Sequence, residues 1–305
     1  MAFHWDDMRV FLAVARAESI SGAGRALKMD AATVGRRISR LEERLGARLF
    51  ARSPRGYALS DAGQRFLPHA ERAEQAILQA GEELGGQTGQ LSGQVRIGAP
   101  DGTANYLLPQ ICAAIAAENP QLEIQIVALA RVFNLSRREA DMAVGLSRPA
   151  SGRLTVQKIT DYHLHLAASR AYLAASPPIR EVEDLGGHRI VGYIPDMIFD
   201  KQLDYLPDSW AARISAASNS VSVQVNLLRQ GAGVGFVHDF ALAFAPELEP
   251  VLPDRLALRR SFYLIRHQDD RRVERLNRIA ARLIAGIRSE VARLEAEAAR
   301  RRQRA

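Results

Sequence analysis

Thr33, Arg36, Arg37 and Arg40 recur at the three- and four-residue spacings that gather side chains on one face of a helix. Guanidinium forks arrayed that way match the O6 and N7 acceptors of guanine and the oxygens of phosphate, so the chemistry they offer is that of gripping duplex DNA through its major groove. A solvated basic face is the other reading of the same row. A little further on, Leu49-Phe50-Ala51-Arg52 and Ser53-Pro54-Arg55-Gly56-Tyr57-Ala58-Leu59 read as a short β-hairpin with a Pro-Arg-Gly turn. There Arg52 and Arg55 would lie beside a phosphate backbone, positioning the chain without reading sequence.

Catalytic chemistry finds little support. His163 and His165 alternate along one strand and share a face, yet no cysteine or acidic cluster nearby completes a metal site, so they read as structural. The run Gly231-Ala232-Gly233-Val234-Gly235 looks like a dinucleotide-binding turn but follows a helix and enters a strand, the reverse of what pyrophosphate binding needs. A helix-ending glycine and a strand start account for it better. The chain has neither a Gly-x-Ser-x-Gly elbow nor a phosphate loop. A protein that is not an enzyme, with no cofactor and no metal, is the expectation. The single cysteine, Cys112, sits in an apolar helical pattern and reads as a buried inert thiol, which fits a reducing compartment.

The chain has 305 residues, 47% of them hydrophobic and 25% charged, the balance of a globular protein with two or three domains. Its net charge of +7 is unevenly spread. Residues 1–60 hold 11 arginines and lysines against 6 acids, a local +5 and most of the excess. A basic end of this kind is the electrostatic footprint of a polyanion partner or a solvated surface. No apolar run has the length of a membrane-spanning helix and the first residues carry no leader pattern, so a cytoplasmic protein without a membrane partner is expected.

Helical elements must position the arginine row. Asp6 or Asp7 is suited to cap a first helix through Trp5, Met8, Phe11, Leu12 and Ala15; Ser21 to cap a second; and Asp30 to cap a third that runs to about Leu45. In that third helix Val34, Ile38, Leu41 and Leu45 form the apolar face opposite the arginines. From Asp61 to about Leu84 a long helix carries Phe66, Ala70, Ala73, Ile77, Ala80 and Leu84 at alternating four- and three-residue steps. Such a heptad seam predicts a homodimer, packing on its own head being the alternative, and Pro68 should kink it. Residues 85–93 hold four glycines in nine positions and mark a hinge. Beyond it, short β-rich runs alternate with helices, which predicts an α/β sheet covered on both faces. The stretch from Arg271 to Arg304 is helical in pattern, its last part, 291–305, forming a basic tail that ends in Arg300-Arg301-Arg302-Gln303-Arg304, which reads as a frayed end with a lesser role of touching DNA.

The segments Arg25-Ala26-Leu27, Ile38-Ser39-Arg40-Leu41-Glu42-Glu43-Arg44-Leu45-Gly46-Ala47-Arg48-Leu49-Phe50-Ala51-Arg52 and Leu59-Ser60-Asp61-Ala62-Gly63 together resemble the winged helix-turn-helix signature of LysR-type transcriptional regulators. The chain departs from that pattern at Asp30-Ala31 and Gly35, where the family usually has a Ser-Gln pair and a Ser, so some DNA contacts must differ. The resemblance implies an α/β protein overall, with an all-α winged helix-turn-helix over 1–60 and a dimerising linker helix and hinge over 61–93. It further implies a periplasmic-binding-protein-like effector domain over 94–290, with subdomain I at 94–160 and 267–290, subdomain II at 161–266, and a ligand cleft between them. Strand-to-helix turns opening on such a cleft would offer free N–H groups to an anion. Thr103, Asn219 and Ser220 match positions of inducer contact, with Arg131, Phe133, Tyr193 and His238 as weaker candidates; each is alternatively a plain cap or loop residue. The implied partners are promoter DNA with a roughly palindromic site, an unidentified small-molecule effector, a second copy in a homodimer or homotetramer, and RNA polymerase if the protein activates. A binding protein with an incidental basic head, and a nucleoid-like protein without sequence preference, are the competing readings.

Overall fold

The computed structural model describes residues 4–53, 56–84, 90–128, 140–149 and 152–302. It divides into two compact units, Met1–Gly89 and Gln90–Ala305.

In the first unit α1 (Trp5–Ala17), α2 (Ile20–Leu27) and α3 (Ala31–Leu45) precede a hairpin of β1 (Phe50–Ser53) and β2 (Gly56–Leu59), followed by α4 (Asp61–Leu84). Phe11, Leu12, Val34, Leu41 and Leu49 are fully buried and form the centre of its core. Local chemistry sets the boundaries. Ser19, and not the expected Ser21, caps α2 by accepting from Gly22 N at 3.2 Å, because Ser19 holds the extended backbone of a cap while Ser21 lies inside the helix. Between α2 and α3 the chain turns so tightly that a Cβ on Gly24 would stand 2.6 Å from Met29 O, which only glycine allows. Asp30 then caps α3, accepting from Thr33 N at 2.8 Å. The first helix is capped differently from expectation: it starts after His4 without a side-chain cap. Asp7 instead turns inward, 1% exposed, toward Arg37 at 3.6 Å and Arg44 at 3.8 Å.

A second carboxylate joins helix to hairpin. Glu42, buried near the end of α3, accepts from Leu49 N at 2.7 Å, Phe50 N at 3.2 Å and Arg48 Nη1 at 2.9 Å. The backbone donors at the start of β1 thus find their acceptor in a side chain of the preceding helix. Ser60 caps α4 through Gly63 N at 3.0 Å, and a Cβ on Gly63 would lie 2.1 Å from Leu49 O, so α4 sits on the hairpin as closely as backbone permits.

The second unit runs β3 (Gly93–Ala99), α5 (Asp101–Tyr106), α6 (Leu108–Glu118), β4 (Leu122–Ala128), β5 (Met142–Gly145), β6 (Leu154–Ser169), α7 (Arg170–Ala174), β7 (Ile190–Gly192), α8 (Asp208–Ala211), β8 (Ile214–Ala217), α9 (Val221–Arg229), β9 (Val234–His238), α10 (Asp239–Leu242), β10 (Leu248–Pro250), β11 (Ala257–His267) and α11 (Glu274–Arg302). The strands hydrogen-bond in the order β4-β3-β5-β11-β6-β9-β7-β8, with β10 added to β6. Parallel β4, β3 and β5 make one half, parallel β9, β7 and β8 the other. Antiparallel β6 and β11 run through both and are the strands that connect half to half. Their ladder is interrupted once, where Phe262 faces Thr160 and Tyr263 faces Lys158, leaving Ile159 as an extra residue. Arg288 of α11 donates its Nε to that residue's carbonyl at 2.7 Å.

The expected frayed tail is corrected. Helix α11 continues to Arg302, and Ile279, Leu283, Ile287, Val291, Leu294 and Ala298 are buried at helical spacing. Two of the terminal arginines are engaged: Arg301 donates to Leu242 O at 2.9 Å, and Arg302 donates to buried Asp239 at 2.6 Å. The cause is a shared carboxylate, since Asp239 also holds His165 Nδ1 at 2.7 Å.

Candidate DNA-reading face and effector cleft

On α3 the four sequence-predicted residues divide. Arg36 and Arg40 are exposed. Thr33 is half-buried: its hydroxyl donates to Asp30 Oδ2 at 2.6 Å and accepts from Arg36 Nη2 at 3.1 Å. That hydroxyl bond, with the backbone N–H of Thr33 behind it, holds the Asp30 carboxyl below its usual range. Arg37 is drawn back between Asp6 at 3.7 Å and Asp7 at 3.6 Å, so it does not stand fully outside as the spacing predicts. Arg52 lies on β1 opposite Tyr57, its side chain outside the described residues, and Arg55 lies outside them altogether.

The heptad seam of α4 divides too. Phe66 stacks edge-on against Phe11 with ring centroids 5.1 Å apart, Ala70 is fully buried, and Ala73 packs on the same core. These three are therefore corrected: they bury against their own head because α1 crosses them first. Ile77, 46% exposed, and Ala80 are left open to another partner, and the side chain of Leu84 lies outside the described residues.

In the second unit a cavity opens between the two halves of the sheet where α5 and α9 begin. Pro100, Asp101, Gly102 and Thr103 form one wall, Asn219 and Val221 the wall opposite. Tyr193, Phe199, Leu203 and Phe262 supply most of its apolar surface, with Leu146 and His238 completing it. Its free volume is about 20 Å³, room for one water molecule. Of the predicted effector residues, Thr103, Tyr193, Asn219 and His238 line this space. Ser220 caps α9 beside it, accepting from Val223 N at 3.3 Å. Arg131 and Phe133 lie outside the described residues.

Polar chemistry in the cavity is sparse and specific. Burial pushes the Tyr193 phenol well above its ordinary range. The His238 imidazole is pushed down to about 4 by burial, against the opposing pull of Asp239 and Asp101, and so stays neutral near pH 7. Its ring stacks on Tyr162 at 5.5 Å, and its Nδ1 has no hydrogen-bond partner. At the start of α9 the expected N–H donor is taken: Asp101 Oδ2 accepts from Ser222 N at 2.9 Å, and from the hydroxyls of Ser220 at 3.0 Å and Ser222 at 3.2 Å, whereas α5 begins at Pro100 without a side-chain cap. Sequence reasoning missed Asp101, which reads as an ordinary first-turn acid of α5. The only available signal was its place directly after Pro100 at a strand end.

The histidines on β6 are structural. His163 Nδ1 lies 2.9 Å from Glu295 and His165 is held by Asp239, both partners belonging to elements that cover the sheet.

Comparison with known families decides what these two units are. The model of the bacterial regulatory helix-turn-helix protein, lysR family, matches residues 5–64, and that of the LysR substrate binding domain matches residues 88–287. The chain belongs to the LysR family. This LysR-type chain is 27% identical over 238 residues to the HTH-type transcriptional regulator PtxR of Pseudomonas aeruginosa, covering 76% of each. It is 24% identical over 237 residues to the regulator CrgA of Neisseria meningitidis serogroup C, covering 77% of this chain and 79% of that one. Among solved structures, full-length AphB of Vibrio cholerae shares the fold with a TM-score of 0.53 at 23% identity, covering 93% of this chain and 99% of that one. The LysR-type protein is thus a transcriptional regulator with a helix-turn-helix DNA-binding unit and a two-subdomain α/β effector unit, and its family consists of regulators and not enzymes.

Proposed function

We propose that this regulator reads a roughly palindromic operator as a homodimer in the cytoplasm, with Arg36 and Arg40 of α3 entering the major groove. Thr33, Arg52 and Arg55 serve the phosphate backbone, and Arg37 contributes less because Asp6 and Asp7 hold it. The observation that carries this reading is the exposed pair Arg36 and Arg40 on a helix whose opposite face, Val34, Ile38 and Leu41, is buried. Behind a tight glycine turn, that is the arrangement groove insertion requires.

The cleft between the two halves of the effector unit is proposed to take the small-molecule effector, with Thr103, Tyr193, Asn219 and His238 in its wall. An effector shifts the DNA-bound arrangement only through unequal affinity for the two states. Dimer or dimer-of-dimers assembly, and contact with RNA polymerase in the case of activation, belong to the same reading.

Electrophoretic mobility shift on the DNA upstream of the gene and of its neighbours tests the first part. Arg40→Ala is expected to weaken specific binding by about tenfold or more while gel filtration still gives a dimer. A monomeric Arg40→Ala chain, or unchanged binding, contradicts this division of labour. Arg36→Ala should relax the choice at one base position; equal weakening on every fragment points to a protein without sequence preference.

A further inference from the structure

Among the described residues, the wall of the effector cleft contains one charged side chain, Asp101, and no lysine or arginine. Its carboxylate reaches from the first half of the unit to the second and ends on the first turn of α9, where it takes the Ser222 N–H and the hydroxyls of Ser220 and Ser222. The other carboxylate oxygen accepts from Asn105 Nδ2 at 3.0 Å. Helix N-termini attract anions because their N–H groups lack intrahelical partners. At α9 that position is already filled: Ser222 N goes to Asp101 and Val223 N to Ser220 Oγ. A carboxylate arriving from solution would have to displace one that is tethered and therefore present at high effective concentration. It would then remain beside the displaced charge, with no cation among the described wall residues to offset either.

His238 points to what the cleft accepts instead. It is 6% exposed, lines the cavity, and carries a ring nitrogen with no partner. An unpaired buried polar atom is satisfied by a ligand group that gives or takes one hydrogen bond. Around it stand Tyr193, Phe199, Leu203, Val221 and Phe262, which suit an apolar or aromatic body.

We infer that the effector of this regulator is an uncharged, largely apolar molecule with a single hydrogen-bonding group directed at His238, and that Asp101 keeps carboxylates and phosphates out by occupying their position on α9. The inference rests on the reading of the cleft as the effector site. With free space for one water, the cleft admits such a molecule only by parting its halves.

Benzoate, benzamide and benzamidinium share shape and differ in charge, and titrating each into the full-length chain by calorimetry separates the possibilities. The wild type is expected to bind benzamide at least about tenfold more tightly than benzoate, one charge repulsion being worth that factor or more. Asp101→Ala frees the three donors at the start of α9 and should reverse the order. Asp101→Asn, which keeps the size and removes the charge, should at least narrow the gap should the alanine variant fail to fold. His238→Phe should weaken benzamide. Benzoate equal to or tighter than benzamide on the wild type, benzamidinium tightest of the three, no change of order or gap in either Asp101 variant, or unchanged benzamide binding by His238→Phe overturns the inference and leaves the cleft as the effector site. If none of the three binds wild type or variants, the cleft reading falls and the inference with it.

Discussion

His238 is enclosed by Tyr162 and Phe240, with Phe240's ring centroid 4.9 Å away, and that enclosure has a consequence for acid stability. The folded imidazole titrates at about 4, below the ordinary 6.5. Between those values the unfolded chain binds a proton that the folded chain does not, so stability is complete above pH 6.5 and is lost as pH falls toward 4. The gap corresponds to about 3 kcal/mol at most. Denaturant unfolding at pH 7 and at pH 4.5 should therefore show a larger acid loss in the wild type than in His238→Phe; equal losses would assign the acid sensitivity elsewhere. At this scale the sequence was partly readable. Asp30 as a cap and Arg36 and Arg40 as exposed cations followed from neighbours within one helical turn. Asp101, Asp7 and Glu42 did not, because their partners lie up to 121 residues away and a carboxylate's own neighbourhood does not name them.

At the scale of elements, the end of α11 makes the sharpest claim. Asp239 is 1% exposed, is paired with Arg302 and lies at hydrogen-bond distance from His165, three groups from three elements. Removing one partner of a buried ion pair leaves a charge without compensation, a loss of about 3 kcal/mol or more. Arg302→Ala should accordingly lower the stability of the effector unit by that order in urea unfolding, whereas a merely solvated arginine would change nothing measurable. The helical pattern from Arg271 to Arg304 was visible in the sequence. That its arginine end is held and not frayed was not, since a run of arginines reads as solvated until the acid 63 residues earlier is known to face it. The heptad on α4 failed for a related reason: periodicity locates an apolar face without saying which surface covers it. Phe11 covers the part from Phe66 to Ala73, and only Ile77 and Ala80 of the described seam remain open.

For the molecule as a whole, the proposed homodimer calls on the remaining open part of α4. Ile77→Asp places a charge on the exposed apolar position of that seam and should convert the dimer to a monomer in sedimentation velocity; an unchanged mass would remove α4 from the interface. The alternation of β-rich and helical stretches after residue 93 was enough to foresee a covered α/β sheet, and the resemblance to LysR-type regulators to foresee its two halves. The strand order needed the structure, because pairings such as β11 with β5 join residues far apart in sequence. That order also governs how the effector unit moves. Because β6 and β11 cross together as a hydrogen-bonded ribbon, the two halves lack a loose single-chain hinge, and any opening is a torsion of the ribbon as a whole. The ribbon has one irregular point, Ile159, where the ladder is broken and the carbonyl is tied to Arg288. The long C-terminal helix is thereby fastened to the ribbon at its one break, so a torsion there would act on the Arg288 contact before any other part of α11.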